Sequence, residues 1–260
     1  MLWDSLGLGM RALTWSADVA LSEVEEDVSF SGPLAWVTIA FSMALGIGLF
    51  FLLPMFLVSL LDNAIQSAFW SNLAEGGVRL LMFIGYLALI GLMPDIRRVF
   101  AYHGAEHKTI NAYEAGAELT PESVAQYSRT HTRCGTGFLL IVLIIFVIIA
   151  TLIGRPTIWL RIVSRLVLIP VVAGIAYEVI KLSAKYYEKS QCVRVVMAPT
   201  LALQKLTTRE PELEMLEVSI RALKGVLFSE GLLDEPFEDD ETVVDESLAE
   251  DEARGEDDAV

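Results

Sequence analysis

Polar and apolar positions along the chain fall into blocks rather than a single repeating pattern. Four apolar blocks approach or reach the roughly 17–25 residues needed to cross a bilayer. The first runs from Leu34 to Leu61, with Pro54 expected to kink it or end its straight part. The charge-free run of the second, Leu80 to Met93, is short, so a full crossing must extend back to about Leu73 and take in Glu75 and Arg79. The third, Gly137 to Ile153, is almost entirely Leu, Ile, Val and Phe. The fourth, Ile158 to Ile180, carries Arg161 and Arg165 near one end and Glu178 near the other, where their heads can snorkel to the interfaces. The pattern predicts an all-α integral membrane protein with about four transmembrane helices, an ordered helical cytoplasmic loop and a disordered acidic C-terminal tail.

The segments between the spans have their own periodicities. From Leu2 to Leu21 the apolar positions suit an amphipathic helix on a surface, within an N-terminal segment 1–30 that closes on Glu23, Glu25, Glu26 and Asp27. Ser31-Gly32-Pro33 breaks the chain before a membrane domain spanning 31–198. Within the loop at 94–136, Phe100 to Gly116 reads as a helix ended by glycine. Thr120 then caps a second helix, with Pro121 at its first position, that runs to about Thr130. The segment 199–230 opens on a short apolar stretch, Pro199 to Leu206. A helix over 209–228 follows, with Leu213, Leu216, Ile220, Leu223 and Leu227 at three- and four-residue spacing. That stripe must pack on the histidine loop, on the membrane surface or on another chain, which makes this helix the candidate surface for a homo-oligomer or protein partner.

Composition agrees with the pattern, since 54% of the 260 residues are apolar and mean hydropathy is +0.52. The net charge of −15 belongs mostly to the tail, 231–260: from Asp234 onward there are 14 acidic residues and one basic, leaving −2 for the rest. So acidic a segment cannot bury enough apolar surface to offset its ordering entropy. Near the spans, Arg97, Arg98, Lys108, Arg129, Arg133, Lys181, Lys185, Lys189 and Arg194 fall on one side, against Arg79, Arg155, Arg161 and Arg165 on the other. The positive-inside rule then predicts a bacterial cytoplasmic (inner) membrane protein with both termini and the histidine loop in the cytoplasm. Two cysteines, Cys134 and Cys192, make no disulfide framework and fit a reducing compartment. Residues 1–30 lack the basic start and apolar run of a signal peptide, and no basic aromatic patch of the kind nucleic acid needs is present.

The candidate chemistry centres on Tyr102-His103-Gly104-Ala105-Glu106-His107-Lys108-Thr109, which holds two of the three histidines. Taking His103 as zero at about 100° per helical residue, His107 falls near 40°, Glu114 near 20°, Asn111 near 80° and Glu106 near −60°. Two imidazoles and a carboxylate thus share one face, a donor set suited to a divalent metal, zinc above all. His103-x-x-Glu106-His107 also spells the H-x-x-E-H motif, in which the histidines bind zinc and the glutamate activates water, making Glu106 the candidate catalytic base. Glu178, His131 and Cys134 are expected at the same membrane face and complete the candidate ligands, with Asn111 and Glu114 as groups that orient the imidazoles. Taken singly, each histidine or Cys134 has a plain structural reading, and Lys108, Arg129 and Arg133 read as topology signals.

With these residues in view, the chain resembles an uncharacterised family of bacterial multi-pass membrane proteins that includes YqhQ, described as predicted metal-dependent enzymes. The resemblance rests on Tyr102 to Thr109 with Ala112-Tyr113-Glu114, on Tyr127-Ser128-Arg129, and on His131 with Arg133-Cys134-Gly135-Thr136. It continues in Ala176-Tyr177-Glu178 and Leu206-Thr207-Thr208-Arg209-Glu210-Pro211. It covers about Leu2 to Gly225 and leaves out the tail. Members of the family usually carry a Gly- and Met-rich segment ahead of the matched region, and this chain is expected to begin downstream of it. Two functions stand: a metal-dependent hydrolase, or a non-catalytic membrane scaffold or assembly factor with a structural metal site.

Overall fold

The computed structural model describes residues 2–22, 32–61, 65–154 and 156–233, and every regular element among them is helical. The acidic run at 23–31, Arg155 and the acidic tail from 234 onward lie outside the described residues. The helices are α1 (Leu2–Ser22), α2 (Gly32–Ile47), α3 (Leu53–Ser59), α4 (Ala68–Ile90), α5 (Pro94–Glu114), α6 (Pro121–Val124), α7 (Gly135–Ile153), α8 (Ile158–Tyr186), α9 (Gln191–Thr207) and α10 (Leu213–Ser229). They divide into two compact units, one of residues 1–97 and 130–207, the other of 98–129 and 208–260.

The first unit holds the four stretches long and apolar enough to cross a membrane: Ala35–Ser59, Ala68–Ile90, Gly135–Ile153 and Trp159–Tyr186. The chain is an all-α membrane protein, as its apolar blocks predict. The near-continuous aliphatic α7 lies at the centre of this unit. Its Leu140 and Leu143 pack with Phe83 of α4 and Leu203 of α9, Ile141 packs with Ala176 and Ile180 of α8 and Met197 of α9, and Phe146 and Ala150 pack with Val172 of α8. Outward positions such as Trp36, Phe41, Leu81, Leu152 and Val167 are exposed and apolar, as a surface bathed in lipid requires. Exposed Leu8, Leu13 and Trp15 give α1 the apolar side chains expected of a surface helix.

The membrane unit departs from the sequence reading at some points and sharpens it at others. The second span starts at Ala68, five residues before Leu73, and α8 runs past Ile180 to Tyr186. Pro54 is preceded by a π-helical turn, Gly48–Leu52, which joins α2 to α3. The missing N–H of Pro54 would have bonded the Phe50 carbonyl, and Arg79 Nε donates to that oxygen instead at 2.8 Å. Arg161 and Arg165 do not snorkel: both are buried and turn inward to Glu75 of α4, with Arg161 Nη2 at 2.7 Å from Glu75 Oε2. A carboxylate on a neighbouring helix offers them a stronger partner than the interface. The stretch Pro199 to Leu206, expected as a short apolar segment, is part of the longer helix α9.

The second unit is built on α5. Its end follows the glycine expectation: Gly116 adopts φ 69°, and the Gly116 and Ala117 N–H groups donate back to the Tyr113 and Ala112 carbonyls. Thr120 caps α6 as expected, its Oγ1 accepting from the Ser123 N–H, but α6 stops at Val124 rather than Thr130. The reason is competition for carbonyls. The Ala125, Ser128 and Arg129 oxygens accept from side chains of α5 at 2.6, 2.6 and 2.7 Å, instead of continuing a helical ladder. The α10 stripe packs on this loop, the first of the three surfaces open to it: Leu216 and Ile220 are buried with Ala105, Ala112 and Val124. Each such leucine or isoleucine contributes about 1.5–3 kcal/mol through burial.

Candidate metal centre

His103 and His107 leave the same face of α5, with ring centroids 4.4 Å apart. His107 is buried and His103 half-buried. The His107 Nδ1 lies 2.7 Å from the Arg129 carbonyl oxygen. A carbonyl only accepts, so in the neutral ring Nδ1 carries the proton and Nε2 keeps its lone pair. Metal-bound histidines are commonly oriented in this way, by donating the other ring nitrogen to a backbone carbonyl. One turn further on, Asn111 Nδ2 donates to the Ser128 carbonyl at 2.6 Å, so it holds the peptide next to the one that orients His107. Glu114, the last residue of α5, is exposed.

Two further features of this unit were not read from the sequence as parts of a site. Lys108 is buried, and its Nζ donates to the Ala125 carbonyl at 2.6 Å and pairs with Glu210 at 2.7 Å. It is a structural tie and not only a topology signal. The segment after Thr208 lies directly on α5, where the Arg209 N–H donates to the Phe100 carbonyl at 2.8 Å. A side chain at Gly104 would run into the Arg209 carbonyl, so the glycine between His103 and Ala105 is what lets this segment approach. The motif of α5 and the Thr208-Arg209-Glu210-Pro211 motif, read separately in the sequence, are thus one packed structure.

Glu106 occupies the flank of α5 toward α10. With Tyr102, Thr109, Ile110, Val218, Leu223 and Val226 it lines a largely apolar groove of about 360 Å³. Its carboxylate is exposed.

The other candidate ligands belong to the membrane unit. Cys134 is buried, is not in a disulfide, and serves as the N-cap of α7, its Sγ accepting from the Thr136 N–H at 3.3 Å. His131 is half-buried, and its main chain is clamped by Gln204, which accepts from its N–H at 2.8 Å and donates to its carbonyl at 2.7 Å. Gln204 is fully buried, and nothing in its helical apolar context announced the role. The His131 Nδ1 accepts from the Arg133 N–H at 3.4 Å, which puts the proton of the neutral ring on Nε2, opposite to His107. Glu178 is exposed on α8.

Among the described residues, fold and site together define a helical membrane protein with four helices long and apolar enough to span, and a paired-histidine helix. The comparisons with known proteins supply its family. A model of the family described as "Protein of unknown function (DUF1385)" matches residues 1–229, and the chain belongs to that family. It is 39% identical over 187 residues to "Uncharacterized protein YqhQ" of Bacillus subtilis (strain 168), covering 72% of this chain and 58% of that relative's length. No solved structure matches it.

Proposed function

We propose that His103 and His107 hold a divalent metal, zinc by the chemistry of their donors, and that this centre is the working part of the protein. The observation that carries the reading is the Arg129 carbonyl on His107 Nδ1, which puts the proton of the neutral ring there and the lone pair on Nε2, beside a second imidazole. Cys134, His131 and Glu178 are the candidates for further ligands by residue type. The first two also follow Arg129 closely in sequence. The Arg133 N–H on its Nδ1 engages the lone pair of the neutral His131 ring, which makes it a weaker nitrogen donor than His107.

A metal held here with one open position would supply a polarised water for hydrolysis, with Glu106 as base. The apolar groove at Glu106 fits a substrate with a hydrophobic portion. The second reading, a structural metal in a membrane scaffold, is favoured by one observation: the same histidine that would bind metal also pins the loop at Arg129. In either reading the centre faces the cytoplasm of a bacterial cell. The pairing of Arg79, Arg161 and Arg165 with buried Glu75 removes them from the loop-charge balance and strengthens the positive-inside bias.

The test is metal content of detergent-purified protein, wild type beside His103→Ala and His107→Ala. The proposal expects metal in the wild type and its loss in both variants. A metal-free wild type, or full retention in both variants, ends it. Metal content of Cys134→Ser, His131→Ala and Glu178→Gln then identifies the remaining ligands. Glu106→Gln separates catalysis from structure, since it should keep metal in either case and lose hydrolysis only in the first.

A further inference from the structure

The polar groups inside the membrane unit form a cluster that the metal reading does not use. Glu75 and Arg79 of α4 are each 1% exposed, and Arg161 and Arg165 of α8 are each 4% exposed. The Glu75 carboxylate is shared three ways: Oε1 takes Arg79 Nη2 at 2.8 Å, while Oε2 takes Arg161 Nη2 at 2.7 Å and faces Arg165 Nη2 at 3.7 Å. Arg165 Nη2 also donates to Asn72 Oδ1 at 3.0 Å, and Asn72 Nδ2 donates to the Ala150 and Gly154 carbonyls at 3.2 and 3.1 Å. The aromatic ring of Phe146 lies under Arg79 and Arg165, 4.8 and 5.4 Å from their guanidinium carbons.

This arrangement is incomplete in charge and in hydrogen bonds. Among the described residues, three guanidiniums, which do not give up their protons in proteins, face one carboxylate. Excess charge inside a membrane is costly and marks a functional site. The carboxylate takes its close bonds from Arg79 and Arg161, while Arg161 Nε and Arg165 Nε are buried with no hydrogen-bond partner, and so is Ser71 Oγ, one turn before Glu75 on α4. Three unused donors and a surplus of positive charge thus lie in one polar cluster. Glu75 is seven residues into α4 and Arg165 seven into α8, about 10 Å along each helix. With the helix starts at the edge of a hydrocarbon core about 30 Å thick, that lies between the headgroups and the midplane.

We propose that this cluster binds a phosphate-type oxyanion, which takes the Nε–H edges of Arg161 and Arg165 and the Ser71 hydroxyl and neutralises the surplus charge. A tetrahedral oxyanion suits it better than a halide because guanidinium edges present paired donors in a fixed fork. The phosphate group of an anionic lipid and free inorganic phosphate share this chemistry, and the experiment tells them apart.

Full-length protein is reconstituted in nanodiscs of phosphatidylcholine doped with phosphatidylglycerol, and retained lipid is read by native mass spectrometry. In parallel, delipidated protein in uncharged detergent is titrated with inorganic phosphate and its thermal midpoint followed. Retained phosphatidylglycerol with no response to phosphate assigns the site to lipid, and the reverse assigns it to the free ion. Arg165→Gln leaves the close Glu75 pairs with Arg79 and Arg161 in place and should weaken binding at least tenfold. Ser71→Ala, a small change that removes only the hydroxyl, should weaken it severalfold. Folded wild type that neither retains the lipid nor responds to phosphate overturns the proposal. So does binding that is unchanged in both variants, which would place the anion elsewhere.

Discussion

Lys108 and the arginines of α4 and α8 are all buried cations, but they are partnered in opposite ways. Lys108 meets one exposed carboxylate, Glu210, and one carbonyl, and both partners come from segments packed on α5. Arg79, Arg161 and Arg165 share a single fully buried carboxylate that lies 86 residues away from Arg161. The first arrangement keeps a loop in place at the edge of water. The second holds helices together where water cannot help, so losing its anion has no substitute.

Glu75→Gln breaks this comparison most severely. It leaves three buried guanidiniums around a neutral amide, and removal of one partner from a buried pair costs about 3–5 kcal/mol. Glu210→Gln removes the other carboxylate, but that side chain is 66% exposed and water can replace it, so the loss should be about 1 kcal/mol or less. Denaturant titration of the two variants in one detergent checks the ordering. Equal losses would show that burial of Glu75 does not set its importance.

The difference between the two regions also explains what could be read from the chain. The spans are legible because 17–25 apolar residues have few alternatives, and the histidine pair is legible because i, i+4 spacing is a local property of any helix. Arg161 and Arg165 were misjudged as snorkelling because that expectation weighs distance to the helix end, whereas their partner is distant in sequence. The early end of α6 was hidden for a related reason. Carbonyls at Ala125, Ser128 and Arg129 have no side-chain signature, and only the fold shows that Lys108, Asn111 and His107 reach them. Pro54 was correctly expected to disturb the first span, but not that Arg79 would take up the Phe50 carbonyl.

Gly104→Ala tests the α5 unit through its backbone rather than its charges. The added methyl meets the Arg209 carbonyl, and because that atom is main chain it cannot rotate away. The segment after Thr208 must lift, at a cost of about 1–3 kcal/mol. The Arg209 to Phe100 hydrogen bond and the Lys108 pair with Glu210 should loosen with it. Hydrogen exchange should rise at 208–212 and 98–108 while the spans of the membrane unit stay protected. Unchanged exchange at 208–212 would show that the close approach at Gly104 is not needed.

The smallest effects distinguish which contacts order the loop between α5 and the third span. Thr120 caps α6 through a long 3.4 Å hydrogen bond, whereas Asn111 reaches the Ser128 carbonyl at 2.6 Å beside the peptide that orients His107. Thr120→Ala should therefore cost about 0.5 kcal/mol, the low end for a lost N-cap, and leave metal content unchanged. Asn111→Ala should cost about 1 kcal/mol in stability. If the metal proposal holds, it should also weaken metal affinity by about 10–100-fold, because the carbonyl orienting His107 loses its support. Competition with a chromophoric chelator measures the affinity in both variants. A larger metal defect in Thr120→Ala than in Asn111→Ala would mean that α6, and not the side chains of α5, sets the geometry of the histidine pair.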